Sequence, residues 1–234
     1  MSTVRALAID FGGTLANPGP SPDGSKVAGI LGSLPGMTVS DGFAAVFDSI
    51  TGQLRRTDRD LGTQTPFAER LCQAAIESGT VLPENVDTIV EKVFTAIPDG
   101  EIDAAAAQTL RLLHDRGMTC VLACDTQRPS TTRRATLQSA GILNCFHALV
   151  LSSEIGVRKP HSRFYDAVVA AAGCPVSEIL FVGDTPAKDA IAPHARGMRS
   201  VLIATQRPAG LEESIGVIEH FSMLPEYLEA LDAP

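Results

Sequence analysis

The chain has 234 residues, 44% of them apolar and 20% charged, with a formal net charge of −8. This length holds one generous domain, or a core with a smaller insert, and the composition is that of a globular rather than a disordered chain. The acidic balance excludes the basic footprint that a nucleic-acid or anionic-membrane surface requires.

Residues 4–9 form a short continuous apolar run, the pattern of a strand buried on both faces, and deliver Asp10 into a turn at Gly12-Gly13. Residues 17–24 contain three prolines and two glycines and read as a linker leaving the core. From there to Pro98-Asp99-Gly100 the texture is helical. Phe43, Val46, Phe47, Ile50 and Leu54 fall at helical spacing, as do Phe67, Leu71, Ala74 and Ala75, and then Val86, Ile89, Val90 and Val93. Breaks at 62–66 and at Gly79 to Pro83 separate these helices. Strand patterns are nearly absent here. Residues 18–98 are therefore predicted to form a helical cap inserted after the first strand, with 1–17 and 99–234 as the core domain.

After Gly100 strands and helices alternate. A helix over 104–116 closes at Gly117, a strand follows over 118–124, and a helix over 130–140 closes at Gly141. Residues 147–151 read as a strand, 163–172 as a helix closed by Gly173, and 179–182 as a strand. Thr185-Pro186 starts a helix that Pro193 kinks or ends early. Residues 199–203 make a last strand, and 218–231 a short terminal piece. Five strands joined by helices imply an α/β fold with a doubly wound parallel sheet.

Five cysteines, Cys72, Cys120, Cys124, Cys145 and Cys174, are too scattered for a disulfide framework and read as small buried hydrophobes of a reducing compartment. No run has the length of a membrane span, and Asp10 interrupts the stretch that a signal peptide would use. The expectation is a cytoplasmic protein.

Two strands end in acids. Leu7-Ala8-Ile9 runs into Asp10, and Ile179-Leu180-Phe181-Val182 runs into Gly183-Asp184, with Asp189 five residues further on. In an open parallel sheet ligands sit beyond the carboxyl ends of the strands, which brings both acids to one crevice. Two converging carboxylates suit a hard divalent cation, and one of them is also a candidate nucleophile toward phosphorus. Asp10-x-x-Gly13-Thr14-Leu15, then Lys159-Pro160, then Gly183-Asp184-x-x-x-x-Asp189 resembles the haloacid dehalogenase superfamily of hydrolases, in its phosphatase-like branch with a helical cap.

That resemblance implies roles. Asp10 would be the nucleophile that forms an aspartyl-phosphate, and would ligate Mg²⁺ together with the Gly12 backbone carbonyl and Asp184. Thr14 would support the nucleophile loop. Lys159 would neutralise charge among the carboxylates and the phosphoryl oxygens, as electrostatics dominates phosphoryl transfer. Asp189 would orient Lys159 or hold a metal-bound water, against the alternative of an exposed acid at a helix start. The family's second motif is a Ser or Thr after the second core strand. Here strict alignment puts Cys124, a weak donor, at that position, with Thr126 the substitute if the loop shifts and Asp125 between them. The implied substrate is a small phosphorylated metabolite; oligomeric state is unreadable.

One position departs from the pattern. Phosphatases of the family carry a second Asp two residues after the nucleophile, where this chain has Gly12. That acid–base group is worth about 10²–10⁴-fold. Its absence leaves open a substrate with a good leaving group, a proton from elsewhere, a dehalogenase or carbon–phosphorus hydrolase on the same scaffold, or a catalytically weak phosphate-binding protein. Arg55, Arg56 and Arg59 in the cap, and Arg128, Arg133 and Arg134 after the second core strand, are candidates for an anionic substrate tail, but solvated helix faces are their default reading. His161 reads as a helix-start residue.

Overall fold

The protein is described by a computed structural model covering residues 4–82 and 85–232. In chain order the core begins with strands β1 (Ala6–Ile9) and β2 (Ala16–Asn17). Helices α1 (Gly24–Gly32), α2 (Phe43–Leu61), α3 (Phe67–Ser78) and α4 (Val86–Ala96) follow. The core resumes with β3 (Glu101–Ile102), α5 (Ala104–Asp115), β4 (Thr119–Cys124), α6 (Ser130–Ser139), β5 (Phe146–Leu151), α7 (Ser152–Ile155) and α8 (Ser162–Ala172). It ends with β6 (Ile179–Gly183), a π-helical turn over Pro186–Ile191, α9 (Ala192–His194), β7 (Arg199–Ile203), β8 (Gly216–Ile218) and α10 (Leu224–Asp232).

The main sheet has the order β5-β4-β1-β6-β7-β8, with every pairing parallel. The chain builds outward from β1 through β4 to β5, then returns to the other side of β1 and continues through β6, β7 and β8. Strand β1 thus lies at the point where the winding reverses, and such a point opens a crevice at the strand ends. In register Ile9 stands level with Leu122 and Val182, which puts Asp10 at the same edge as the ends of β4 and β6. Helices cover both faces: Leu7, Ile9, Leu110, Leu122, Val182 and Phe221 belong to one apolar layer, and Ala8, Val121, Phe164, Tyr165, Val168 and Phe181 to the other. All four residues of β1 are fully buried, which is why its sequence is continuously apolar.

Helices α1–α4 have a core of their own. Phe43, Phe47, Leu71, Ile89, Val93 and Phe94 are buried there, with Phe47, Phe67 and Phe94 in successive ring contact at 5.6 and 4.7 Å. The chain leaves and re-enters the core beside itself, since β2 and β3 pair antiparallel, Ala16 with Ile102 and Asn17 with Glu101. The cap rests on the core through its α2–α3 loop. Gln64 N donates to Gly156 O (3.0 Å) and Arg158 N donates to Gly62 O (2.9 Å).

The glycine stops expected for α2, α3 and α8 are left-handed caps at Gly62, Gly79 and Gly173, whose φ values are 68°, 74° and 64°. Pro83, the far end of the second expected break, lies outside the described residues. Two readings are corrected. The sheet has six strands rather than five: β8 lies at the start of the terminal piece, and three residues are too short to show a period. The expected linker, residues 17–24, ends one residue late: Gly24 already opens helix α1, started by Asp23, whose side chain accepts from Lys26 N at 2.9 Å. The segment after Thr185 ends at His194, as Pro193 requires, but as a π-helix in its first part.

Candidate active site

Asp10 leaves β1 almost buried, its backbone N–H tied to Val182 O at 2.9 Å. The turn beyond it depends on Gly13, not Gly12. Gly13 has φ 74°, and a Cβ there would drive into the carboxylate of Asp184. At Gly12 a Cβ would meet only Pro18 Cβ, at 3.9 Å. Thr14 is buried, and its hydroxyl has no hydrogen-bond partner among the described residues, so its contribution to the loop is packing. Gly183 is the matching device on β6: a Cβ there would collide with the side chain of Asp189.

Asp10, Asp184 and Asp189 each offer one carboxylate oxygen within 4.8 Å of the others. Asp184 is exposed, and its carboxyl is raised in pKa, first by desolvation and then by the charge of Asp10. Asp189 is 1% exposed, which removes the reading of an exposed helix-start acid. Both of its oxygens are engaged: Oδ1 accepts from Lys159 Nζ at 2.7 Å and Oδ2 from Thr185 N at 2.9 Å.

Lys159 is buried at the centre. Its ammonium donates to Asp10 Oδ1 (2.7 Å), Asp189 Oδ1 (2.7 Å) and Ala123 O (2.9 Å). Burial disfavours its charge, but Asp10, Asp189 and Asp125 more than compensate and hold its pKa above the ordinary lysine value. Burial, and then the charge of Asp10, push Asp189 up to about 6 against the pull of Lys159. That value lies below neutrality, so Lys159 and Asp189 are ionised together at pH 7.

At the end of β4 the structure separates the second-motif candidates. Cys124 and Asp125 line the cavity of about 500 Å³ that contains Asp10, whereas Thr126 lies in a neighbouring one. Thr126 Oγ1 accepts from Arg128 N at 3.0 Å and serves the turn. The Cys124 thiol, buried, is pushed up to about 12. Asp125 Oδ1 accepts from Lys159 N at 2.9 Å, and Oδ2 from Lys188 Nζ at 3.0 Å.

Two residues read as solvated helix faces are corrected. Arg128 and Arg133 are 7% and 4% exposed and line the Asp10 cavity. They share Asp99, Arg128 Nε at 3.1 Å and Arg133 Nη1 at 3.0 Å, and the Arg133 guanidinium lies over the ring of Phe11 at 3.3 Å. The available signal was Asp99 itself, an acid at the re-entry of the cap opposite a stretch with three arginines. His161 does start α8, its Nδ1 accepting from Arg163 N at 3.2 Å.

The family model of haloacid dehalogenase-like hydrolases matches residues 4–197. The chain belongs to this family. Among curated relatives, this haloacid dehalogenase-like hydrolase is 29% identical over 138 residues to a phosphoserine phosphatase of Thermus thermophilus; the match covers 59% of this chain and only 55% of that protein. It is 26% identical over 202 residues to a phosphoglycolate phosphatase of Pectobacterium atrosepticum, covering 86% and 80% of the two chains. Among solved structures, a 2-haloacid dehalogenase from Pseudomonas syringae pv. Tomato superposes with a TM-score of 0.68 over 99% of this chain and 100% of that one, at 18% identity. The last similarity speaks to the fold of the hydrolase alone. No helix among the described residues is long and apolar enough to cross a membrane.

Proposed function

We propose that the chain is a Mg²⁺-dependent phosphatase of a small phosphorylated metabolite, acting through a phosphoryl-Asp10 intermediate. The observation that carries this reading is the convergence of Asp10, Asp184 and Asp189 within 4.8 Å around the buried ammonium of Lys159. The donor set fits a hard cation. Asp189 spends both oxygens on Lys159 and Thr185, which leaves Asp10 and Asp184, with the Gly12 carbonyl, as the ligands. A bound Mg²⁺ would supply charge neutralisation for the transferring phosphoryl group. Five carboxylates and four cations line the cavity, so a divalent cation turns its formal charge from negative to positive, as a phosphate dianion requires.

Asp10 attacks phosphorus, the bond to the ester oxygen breaks, and the leaving alkoxide takes a proton from solvent, which the second step returns. Water then attacks the aspartyl-phosphate, releasing phosphate and the Asp10 carboxylate. Lys159 fixes one oxygen of Asp10 by its hydrogen bond at 2.7 Å, leaving the other to face phosphorus. The phosphatase relatives support this chemistry over carbon–halogen cleavage. Residues 18–98 act in it as a cap domain that excludes water, and the protein works in the cytoplasm.

The test is phosphate release from an aryl phosphate, titrated with Mg²⁺ and then with chelator. Activity that rises with Mg²⁺ and vanishes in chelator is expected. Undiminished hydrolysis in chelator would contradict the metal site.

A further inference from the structure

Beside the Asp10 cavity lies a second one of about 520 Å³ between cap and core. The two share Gly19, Asp125, Arg128, Lys159 and Lys188, so they adjoin across these residues. Its walls are cationic: Arg55 and Arg59 reach it from α2, Arg158 and Lys188 from the core. Among the described residues the one carboxylate in its lining is Asp125, and that is already engaged by Lys188 Nζ at 3.0 Å and Arg158 Nη2 at 3.6 Å. Arg128 has its own partner in Asp99. The side chains of Arg55 and Arg59 make no ion pair or hydrogen bond among the described residues. Standing four residues apart on one helix, they present two guanidinium groups to the same space.

The surroundings sharpen the imbalance. The fully buried Arg70 is matched by Asp58 at 2.7 Å, and its charge is disfavoured by burial first and then by Arg55 and Arg158. Positive charge is thus crowded around this cavity beyond what the fold neutralises. A guanidinium pair forms forked hydrogen bonds with carboxylate or phosphate oxygens.

Resting on the phosphatase reading, we infer that the substrate carries a second anionic group, a carboxylate or a second phosphate, a short chain away from the phosphoryl group, and that Arg55 and Arg59 on α2 select for it.

Binding tests this independently of turnover. Ethylphosphonate, 3-phosphonopropionate and propane-1,3-diphosphonate are titrated calorimetrically into the protein with Mg²⁺. At least one of the two doubly anionic probes is expected to bind about tenfold tighter than ethylphosphonate, the scale of one hydrogen bond to a charged group, and which one it is separates carboxylate from phosphate. The Arg55→Gln/Arg59→Gln variant should lose that preference. Both side chains are on the helix surface, so the fold is expected to survive, which circular dichroism checks. Arg59→Glu should weaken the doubly anionic probes further still. Equal affinity of all three probes for the unaltered protein overturns the inference, as does a preference that survives the double variant. Failure of the phosphatase reading looks different: no phosphate is released from any phosphate ester, with the binding preference intact.

Discussion

At Lys159 one ammonium meets three acceptors, Asp10 Oδ1, Asp189 Oδ1 and the Ala123 carbonyl, and its protons are fully used. A lysine held this way and raised in pKa is a fixed positive charge and a poor proton donor. It is not the replacement for the acid missing at Gly12. The site has room for that acid. Gly12 lacks a left-handed φ, and an added Cβ meets nothing closer than 3.9 Å. Gly12→Asp is therefore expected to raise turnover of alkyl phosphomonoesters, whose alkoxides need a proton, by up to about 10²–10⁴-fold. Aryl phosphates, which leave unaided, should gain much less. The ratio of alkyl to aryl kcat/KM in variant and parent reads this out, and an unchanged ratio in a folded variant means another group already supplies the proton. Gly13→Ala should instead damage the site, because the added Cβ meets both a left-handed φ and the Asp184 carboxylate.

Among the elements, the two cap linkers are the least independent. Arg128, at the start of the turn into α6, donates to Pro20 O (3.2 Å) in one linker and to Ile97 O (2.9 Å) and Pro98 O (2.6 Å) in the other, while its Nε pairs with Asp99. One side chain therefore ties both crossings to the loop that borders the active site. Arg128→Ala leaves three carbonyls and a buried acid short of a donor and is expected to cost about 3 kcal/mol, measured as a shift of the denaturant midpoint at constant slope. Limited proteolysis at residues 17–24 and 97–100 should accelerate in the variant; an unchanged cleavage rate would mean that the linkers are held by other contacts. This latch also marks the boundary of what the sequence could tell. The strands of the sheet were legible because burial on both faces makes them continuously apolar, and Asp10 and Asp184 were legible because glycines follow or precede them at strand ends. Helix α1 was not, since Gly24, Gly29 and Gly32 mimic a loop. The burial of Arg128 and Arg133 was not either, because their partner Asp99 is 29 and 34 residues away and only the fold brings them together.

For the whole molecule, the site gathers negative charge that, on the proposed function, a cation would relieve. Asp184 and Asp189 are both raised above the ordinary carboxylate value, Asp189 from 3.8 to about 6. Between those limits the native state binds more protons than the unfolded one, so the stability Asp189 contributes is complete below 3.8 and is lost as pH rises through about 6. On the proposed function, Mg²⁺ would bind the ionised Asp184 and compete with its proton, while loss of the Asp189 proton beside it would add to the negative charge that attracts the ion. The rise in Tm on adding Mg²⁺ should accordingly be small at pH 5 and larger at pH 7.5, in a chain that keeps one cooperative transition at both. An equal rise at both pH values would mean that the ion binds elsewhere.

The covalent step at Asp10 is the central claim, and the most direct measurement is mass analysis of the protein quenched in acid during steady-state turnover of an aryl phosphate with Mg²⁺. The peptide carrying Asp10 is expected to gain the mass of one phosphoryl group, and the gain should vanish in Asp10→Asn, which keeps the size and removes the nucleophile. Phosphate released at full rate from a protein whose Asp10 peptide is never modified, or by Asp10→Asn itself, would contradict the account.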